Sequence, residues 1–414
     1  MMGDVLVVGT NDTKGPEIRF IVDQLEKVGA TWQVINIGVF ECGESTVPVA
    51  VGPAELAELA GADINELRRG GEQGGARARA LDAMSEGLAE VLKRYHEEGS
   101  LGAVLGFGGS SGSSVIGRAI QVLPVGVPKI LVSTMASGDV TPYIGTRDVT
   151  LMYSVTDIAG LNRISRVVLR NAARAAAGMA QGFIEDDDEV QDRPLVAISM
   201  FGVTTPAVTA VQQALEQQNF ETTVFHATGA GGRAMEGLVD DRLIDAVIDL
   251  TTSELTDELI GGVLTAGPDR MEAAGRAGIP QILVPGALEV INFGAEHTVP
   301  EKFRVPERRV HVHNSAVTIC RTNVDESREL GRIFTRKANL ATGPTAVVIP
   351  LRGLSALGPE GQPYHDRVAD EALFDEIRSG LRSDIPLIEV DAAINSTEFT
   401  DVVLAEFMKL WSQK

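Results

Sequence analysis

Gly106-Phe107-Gly108-Gly109-Ser110-Ser111-Gly112-Ser113-Ser114 is the stretch whose residue types most directly suggest chemistry. An apolar run, Ala103–Leu105, leads into it and Val115–Ile120 leads out as a helix, giving the order buried strand, small-residue turn, helix. That order brings bare backbone N–H groups up to a phosphate or carboxylate. Glycine lets a ligand approach without meeting a Cβ, and serine adds short hydroxyl donors. With nothing bound, the same letters make a tight turn. A second stretch, His226-Ala227-Thr228-Gly229-Ala230-Gly231-Gly232-Arg233, repeats the strand, glycine loop, helix order and adds a guanidinium at the helix start. Free N–H groups, the helix dipole and Arg233 would together favour an anion there.

A third polar turn, Gly9-Thr10-Asn11-Asp12-Thr13-Lys14, follows the apolar run Val5–Val8. Its spacing is not G-x-x-x-x-G-K-[ST], so a Walker-type nucleotide triphosphatase is not expected. Lys14 is either a point charge for a phosphate or a solvated turn lysine. Neither glycine loop spells G-x-G-x-x-G with an acidic residue about twenty positions on, so a dinucleotide site has little support. Asp12, Asp139, Asp249 and Glu254 each follow a strand and would hold Mg²⁺, bind ribose hydroxyls or simply cap the next helix. Ser133, Gly138 and Thr251 complete the post-strand positions read as ligand contacts. His311 and His313 share one strand face, but neither His226 nor His297 stands at a recognisable spacing for a further metal ligand. No Ser-His-Asp or Cys-His arrangement follows from spacing.

The elements that must position these residues belong to a soluble α/β chain. Its 414 residues are too many for one ordinary core, so two domains are expected. The net charge of −21 argues against sequence-independent nucleic-acid binding, which needs a basic face. It leaves room for a small anion, because local N–H groups outvote global charge. Cys42 and Cys320 are far apart and in no metal-ligand spacing, as expected of a cytoplasmic protein without structural disulfides. The N-terminus lacks a basic region and cleavage site, and no apolar run approaches membrane-spanning length.

The chain restarts after an acidic block, Glu185-Asp186-Asp187-Asp188-Glu189, which reads as a solvated linker. Before it, Val5–Gly9, a helix bearing Ile18, Ile21, Val22 and Leu25, and the strand Trp32–Ile37 form a βαβ unit. After it, Leu195–Gly202, a helix around Val208–Leu215 and the strand Thr222–His226 form another. Ile244–Leu250 echoes Leu101–Phe107, Gly278–Pro285 echoes the strand after Gly126, and Val310–Thr318 echoes Val149–Thr156. Residues 38–73 break the rhythm as an insertion, a flap or a dimer contact. The expected fold is two Rossmann-like, doubly wound parallel-sheet domains related by an internal repeat, 1–185 and 190–414, the second with extra C-terminal units.

Several segments together resemble the Tm-one-like family, that of the tomato mosaic virus resistance protein's N-terminal ATP-binding domain. They are Val8-Gly9-Thr10-x-Asp12-Thr13-Lys14-Gly15, Gly106-x-Gly108-Gly109-Ser110, Met135–Asp139, Asp157–Asn162 and His226–Glu236. The resemblance covers essentially the whole chain. It implies ATP binding and a homodimer. Taken with the residues above, the expected ligand is ATP, with or without Mg²⁺, held between the halves by post-strand loops. The plant protein's further barrel-like domain has no counterpart in these 414 residues, so antiviral activity is not carried over. Two other readings stand beside nucleotide binding. One is a metabolic enzyme acting on a small phosphorylated or carboxylated substrate, with Mg²⁺-dependent phosphoryl transfer as one such reaction. The other is a regulatory module whose ligand sets the angle between domains.

Overall fold

Continuous apolar runs bounded by small polar turns form strands covered on both faces, and helices with one apolar stripe cover them. The computed structural model describes residues 3–40, 47–69, 74–185 and 193–413 and divides into two units, Met1–Val190 and Gln191–Lys414.

The first unit runs β1 (Asp4–Gly9), α1 (Asn11–Lys27), β2 (Trp32–Asn36), α2 (Pro53–Leu59), α3 (Ile64–Arg69), α4 (Gly74–Glu97), β3 (Leu101–Gly108), α5 (Ser110–Ala119), β4 (Lys129–Ser133), α6 (Thr141–Ile144), β5 (Thr150–Tyr153) and α7 (Arg163–Glu185). Its five strands pair in parallel in the order β2-β1-β3-β4-β5, the flavodoxin-like doubly wound order. Ile18, Ile21, Val22 and Leu25 of α1 and Leu169, Ala172, Ala173 and Ala176 of α7 are buried with Val5, Val7 and Leu105 of the sheet. Met84, Leu88 and Val91 of α4 and Val115, Ile116 and Ala119 of α5 are buried with Leu6, Val8 and Val104, which point the other way. Each fully buried Leu, Ile or Val in these layers contributes about 1.5–3 kcal/mol. Residues 53–69 of the expected insertion form α2 and α3, and α2 packs so closely on α4 that a side chain at Gly87 would overlap the Leu56 carbonyl. Cys42 and most of the acidic linker lie outside the described residues.

The second unit runs β6 (Leu195–Met200), α8 (Thr205–Gln217), β7 (Glu221–His226), α9 (Ala230–Asp240), β8 (Ala246–Asp249), α10 (Glu254–Ile260), α11 (Ala273–Ala277), β9 (Gln281–Leu283), β10 (Val290–Phe293), β11 (Val310–Asn314), β12 (Val317–Arg321), α12 (Val324–Ala338), β13 (Thr345–Pro350), α13 (Arg367–Gly380), β14 (Leu387–Val390) and α14 (Thr397–Trp411). Six parallel strands take the order β14-β13-β9-β8-β6-β7. Read from β7, this is the order of the first unit with one strand added, so the sequence echoes reflect a repeated topology.

One echo does not hold. Val310–Asn314 turns back on Val317–Arg321 as a hairpin, with Asn314 Oδ1 accepting the Ala316 N–H at 2.8 Å, and joins an antiparallel sheet, β10-β12-β11. Its supposed counterpart, β5, pairs in parallel with β4, and the fifth position of the second sheet is filled by β13.

Candidate functional site

In a doubly wound sheet the strand order reverses at a switch point, and the carboxyl ends of the strands on either side leave a crevice for a ligand. In the first unit that point lies between β1 and β3, whose register sets Val8 beside Gly106. The two loops singled out from sequence, Gly9–Lys14 and Gly108–Ser114, therefore leave the sheet side by side. Gly9 is required by packing, since an added Cβ would lie 2.8 Å from the Phe107 ring. Gly109 is different. Its backbone is extended (φ −80°, ψ −164°), which any residue adopts, and the nearest atom to an added Cβ is Thr134 Oγ1 at 3.9 Å. The fold does not demand glycine there. The next residues open α5, whose first-turn N–H groups at Ser110, Ser111 and Gly112 have no intrahelical acceptor and carry the positive end of the helix dipole.

Thr10 and Thr13 pair through their hydroxyls at 2.9 Å at the start of α1. Asn36, at the end of β2, accepts the Asn11 and Gly38 N–H groups at 2.9 Å each, tying the loops after β1 and β2 together. Asp12 Oδ1 is sheltered from water and has no hydrogen-bond partner. Lys14 sits at a kink in α1 and donates to the Ile158 carbonyl, while Glu17 accepts the Gly160 N–H at 2.6 Å. These two bonds bring the Asp157–Asn162 segment against α1. Ser133 is a buried tie, bonded to Ser113 Oγ at 2.6 Å and accepting the Met135 N–H at 3.0 Å. Gly138 closes a turn onto Met135. Asp139 caps α6 through the Thr141 N–H at 3.0 Å, and the Thr141 hydroxyl and N–H hold its carboxyl below the usual range.

The switch point of the second unit, between β6 and β8, is filled by the chain itself. Arg270 is fully buried and pairs with Asp249 through both terminal nitrogens, at 2.5 and 2.7 Å. Its Nε meets Glu254 Oε2 at 2.6 Å, and Nη1 reaches Glu236 at 3.3 Å. Burial works against this charge, yet Asp249, Glu254 and Glu236 hold its pKa well above the ordinary value. Ser199 donates to Asp249 at 2.6 Å and accepts the Thr251 N–H at 2.8 Å, and Thr251 Oγ1 pairs with Thr204 at 2.8 Å.

The His226–Arg233 loop does receive an anion, but a resident one. Glu254 Oε1 accepts the Gly229 N–H at 2.6 Å and the Gly232 N–H at 3.2 Å. A side chain at Gly232 would overlap that carboxylate, one at Gly231 would overlap the His226 carbonyl, and Gly229 takes a positive φ of 83°. Thr228 bonds its neighbour His226 at 3.3 Å, and Arg233 reaches the Thr265 carbonyl at 2.8 Å. Sequence reasoning missed Arg270, Asn36, Glu17 and Glu236. Arg270 lies in a turn without periodicity, and its only signal was three post-strand or helical carboxylates in need of a counter-charge. Among the described residues no group of three or more His, Cys, Asp or Glu side chains is set to hold a metal ion, and His311 and His313 lie exposed on β11. No helix of the described residues is long and apolar enough to cross a membrane.

Family models for the N-terminal and C-terminal domains of uncharacterised protein family UPF0261 match residues 3–185 and 193–411. A UPF0261 protein of Clostridium tetani is 42% identical over 95% of this chain and 96% of its own length. The tomato (Solanum lycopersicum) ToMV resistance protein Tm-1(GCR237) is 36% identical over 98% of this chain, which spans 55% of the tomato protein. The ToMV susceptible protein tm-1(GCR26) matches at the same 36%, so the likeness is indifferent to resistance. Among solved structures, the glycosyltransferase SnogD from Streptomyces nogalater aligns with 98% of this chain and 100% of its own at 12% identity and a TM-score of 0.19, a likeness that supports no functional inference.

Proposed function

The chain belongs to the uncharacterised protein family UPF0261, and from that premise we propose that it binds an ATP-type nucleotide at the switch point of its N-terminal unit. The supporting observation is Gly109. It is a residue without a side chain, in a backbone conformation that does not require one to be absent, with open space where the side chain would be. It stands immediately before three helix N–H groups with no intrahelical acceptor, and the loop after the neighbouring strand carries the Thr10 and Thr13 hydroxyls. In this reading a phosphate takes those N–H groups and the site's local donors offset the chain's overall negative charge.

Asp12 supports a second reading, phosphoryl transfer. A buried carboxylate oxygen without a donor suits a cation, and Mg²⁺ is commonly held by one or two carboxylates together with substrate phosphates. Asp12, with the Thr10 and Thr13 hydroxyls, would hold an ion arriving with the nucleotide, and the ion would neutralise charge on the phosphates. Titration calorimetry with ATP, ADP and inorganic phosphate, with and without Mg²⁺, tests both readings. Binding of ATP by the parent, weakened at least about tenfold in Gly109→Val, is the expected result. Equal affinity in the two folded proteins would exclude this site. Turnover that disappears in Asp12→Asn while binding survives would favour the enzyme over the binding protein.

A further inference from the structure

The second unit carries a cleft that neither switch point uses. It has a volume of about 470 Å³ and opens beyond the carboxyl ends of β13 and β14, where open α/β sheets take ligands.

Leu351 and Arg352 follow β13, Asp391 and Ala393 follow β14, and Arg367, Asp370, Glu371 and Phe374 come from the start of α13. His365 and the Gly358–Glu360 turn close the lining. Arg352 is held at the rim by Asp391. Asp370 is mostly buried, and its Oδ1 takes the Arg321 guanidinium at 2.5 Å from behind. His365 Nδ1 lies 3.1 Å from the Gly358 carbonyl and donates to it.

Behind the Gly358 wall lies Glu289, 1% exposed, with neither carboxylate oxygen at hydrogen-bond geometry to a donor, although the Ser355 hydroxyl is on its side. An added Cβ at Gly358 would come within 3.4 Å of Glu289 Oε1. Asp370 thus lines the cleft while paired with Arg321.

We propose that this cleft binds a small zwitterion of the amino-acid type, its carboxylate on Arg367 and its ammonium on Asp370. The mixed lining selects for both charges. A ligand bearing only an anion meets Glu360, Asp370, Glu371 and Asp391, and one bearing only a cation meets Arg352 and Arg367. Burial pushes the Asp370 carboxyl up to about 7, against Arg321, with Glu289 and Asp366 adding to the rise and His365 opposing it. An arriving ammonium favours the ionised form, so uptake near pH 7 releases a proton.

Titration calorimetry of the full chain with the standard free amino acids, in two buffers of different ionisation enthalpy, reads both affinity and proton release. At least one amino acid is expected to saturate the cleft. Its deaminated and decarboxylated analogues, and the variants Arg367→Met and Asp370→Asn, should each bind at least about tenfold more weakly. No saturation by any amino acid at about 10 mM, equal binding of the single-charge analogues, or unchanged binding by Arg367→Met overturns the proposal. Arg367 is exposed, so that variant decides the matter even if Asp370→Asn fails to fold.

Discussion

The two units repeat one strand order, yet their switch points are filled differently. Between β1 and β3 the chain leaves helix N–H groups and a glycine facing open space. Between β6 and β8 it inserts Arg270, bonded to Asp249 and Glu254, and the nearby glycine loop is closed by Glu254. The difference lies in what a glycine is for. Gly231 and Gly232 are small because the protein's own atoms take the space, whereas nothing in the protein takes the space at Gly109. A glycine-rich loop is evidence for a ligand only after its internal occupants have been accounted for.

The sharpest way to break the comparison is to remove the internal cation. Arg270→Met leaves Asp249 and Glu254 buried without their partner and should cost about 3–5 kcal/mol, read as a lower denaturation midpoint. A loss below about 1 kcal/mol would mean that the network does not hold the second unit together. Next, Gly232→Ala drives a methyl into the Glu254 carboxylate and should cost about 1–3 kcal/mol. Gly109→Val has room in the protein and should cost under about 1 kcal/mol, the scale of a weakened helix cap. Equal costs for the two would erase the distinction between them.

A smaller effect separates the units by pH. In the second unit, burial raises the Asp257 carboxyl from 3.8 to about 7, against donation from Asn292 and Leu264. The folded protein keeps that proton to higher pH than the unfolded chain does. Its contribution to stability is therefore full below about 4 and is lost as pH rises through about 7. Glu236, Glu289 and Asp370 are raised as well. Amide exchange at pH 5 and pH 7.5 should show protection falling more in second-unit peptides, and less so in Asp257→Asn. A fall confined to the first unit would contradict this.

The fold was legible because buried parallel strands are continuous apolar runs, as in Val5–Val8 and Leu195–Ile198, and their order in the chain follows the repeat. The hairpin at Val310–Arg321 was not, because a short apolar run does not say whether its partner is parallel or antiparallel. The loops of the candidate site were legible as small polar turns after strands. Their occupancy was not. Glu254 reaches Gly229 from 25 residues away and Arg270 reaches Asp249 from 21, contacts that no local pattern encodes. The β13–β14 cleft escaped for the same reason: Asp370, Arg321 and Glu289 meet only in the folded chain.

Amide exchange followed by mass spectrometry, with and without saturating ATP, tests the central contrast most directly. The account predicts new protection over Thr10–Thr13 and Gly108–Gly112, with none over Gly229–Arg233, whose N–H groups at Gly229 and Gly232 already have an acceptor. Protection at Gly229–Arg233 with none at Gly108–Gly112 would contradict it.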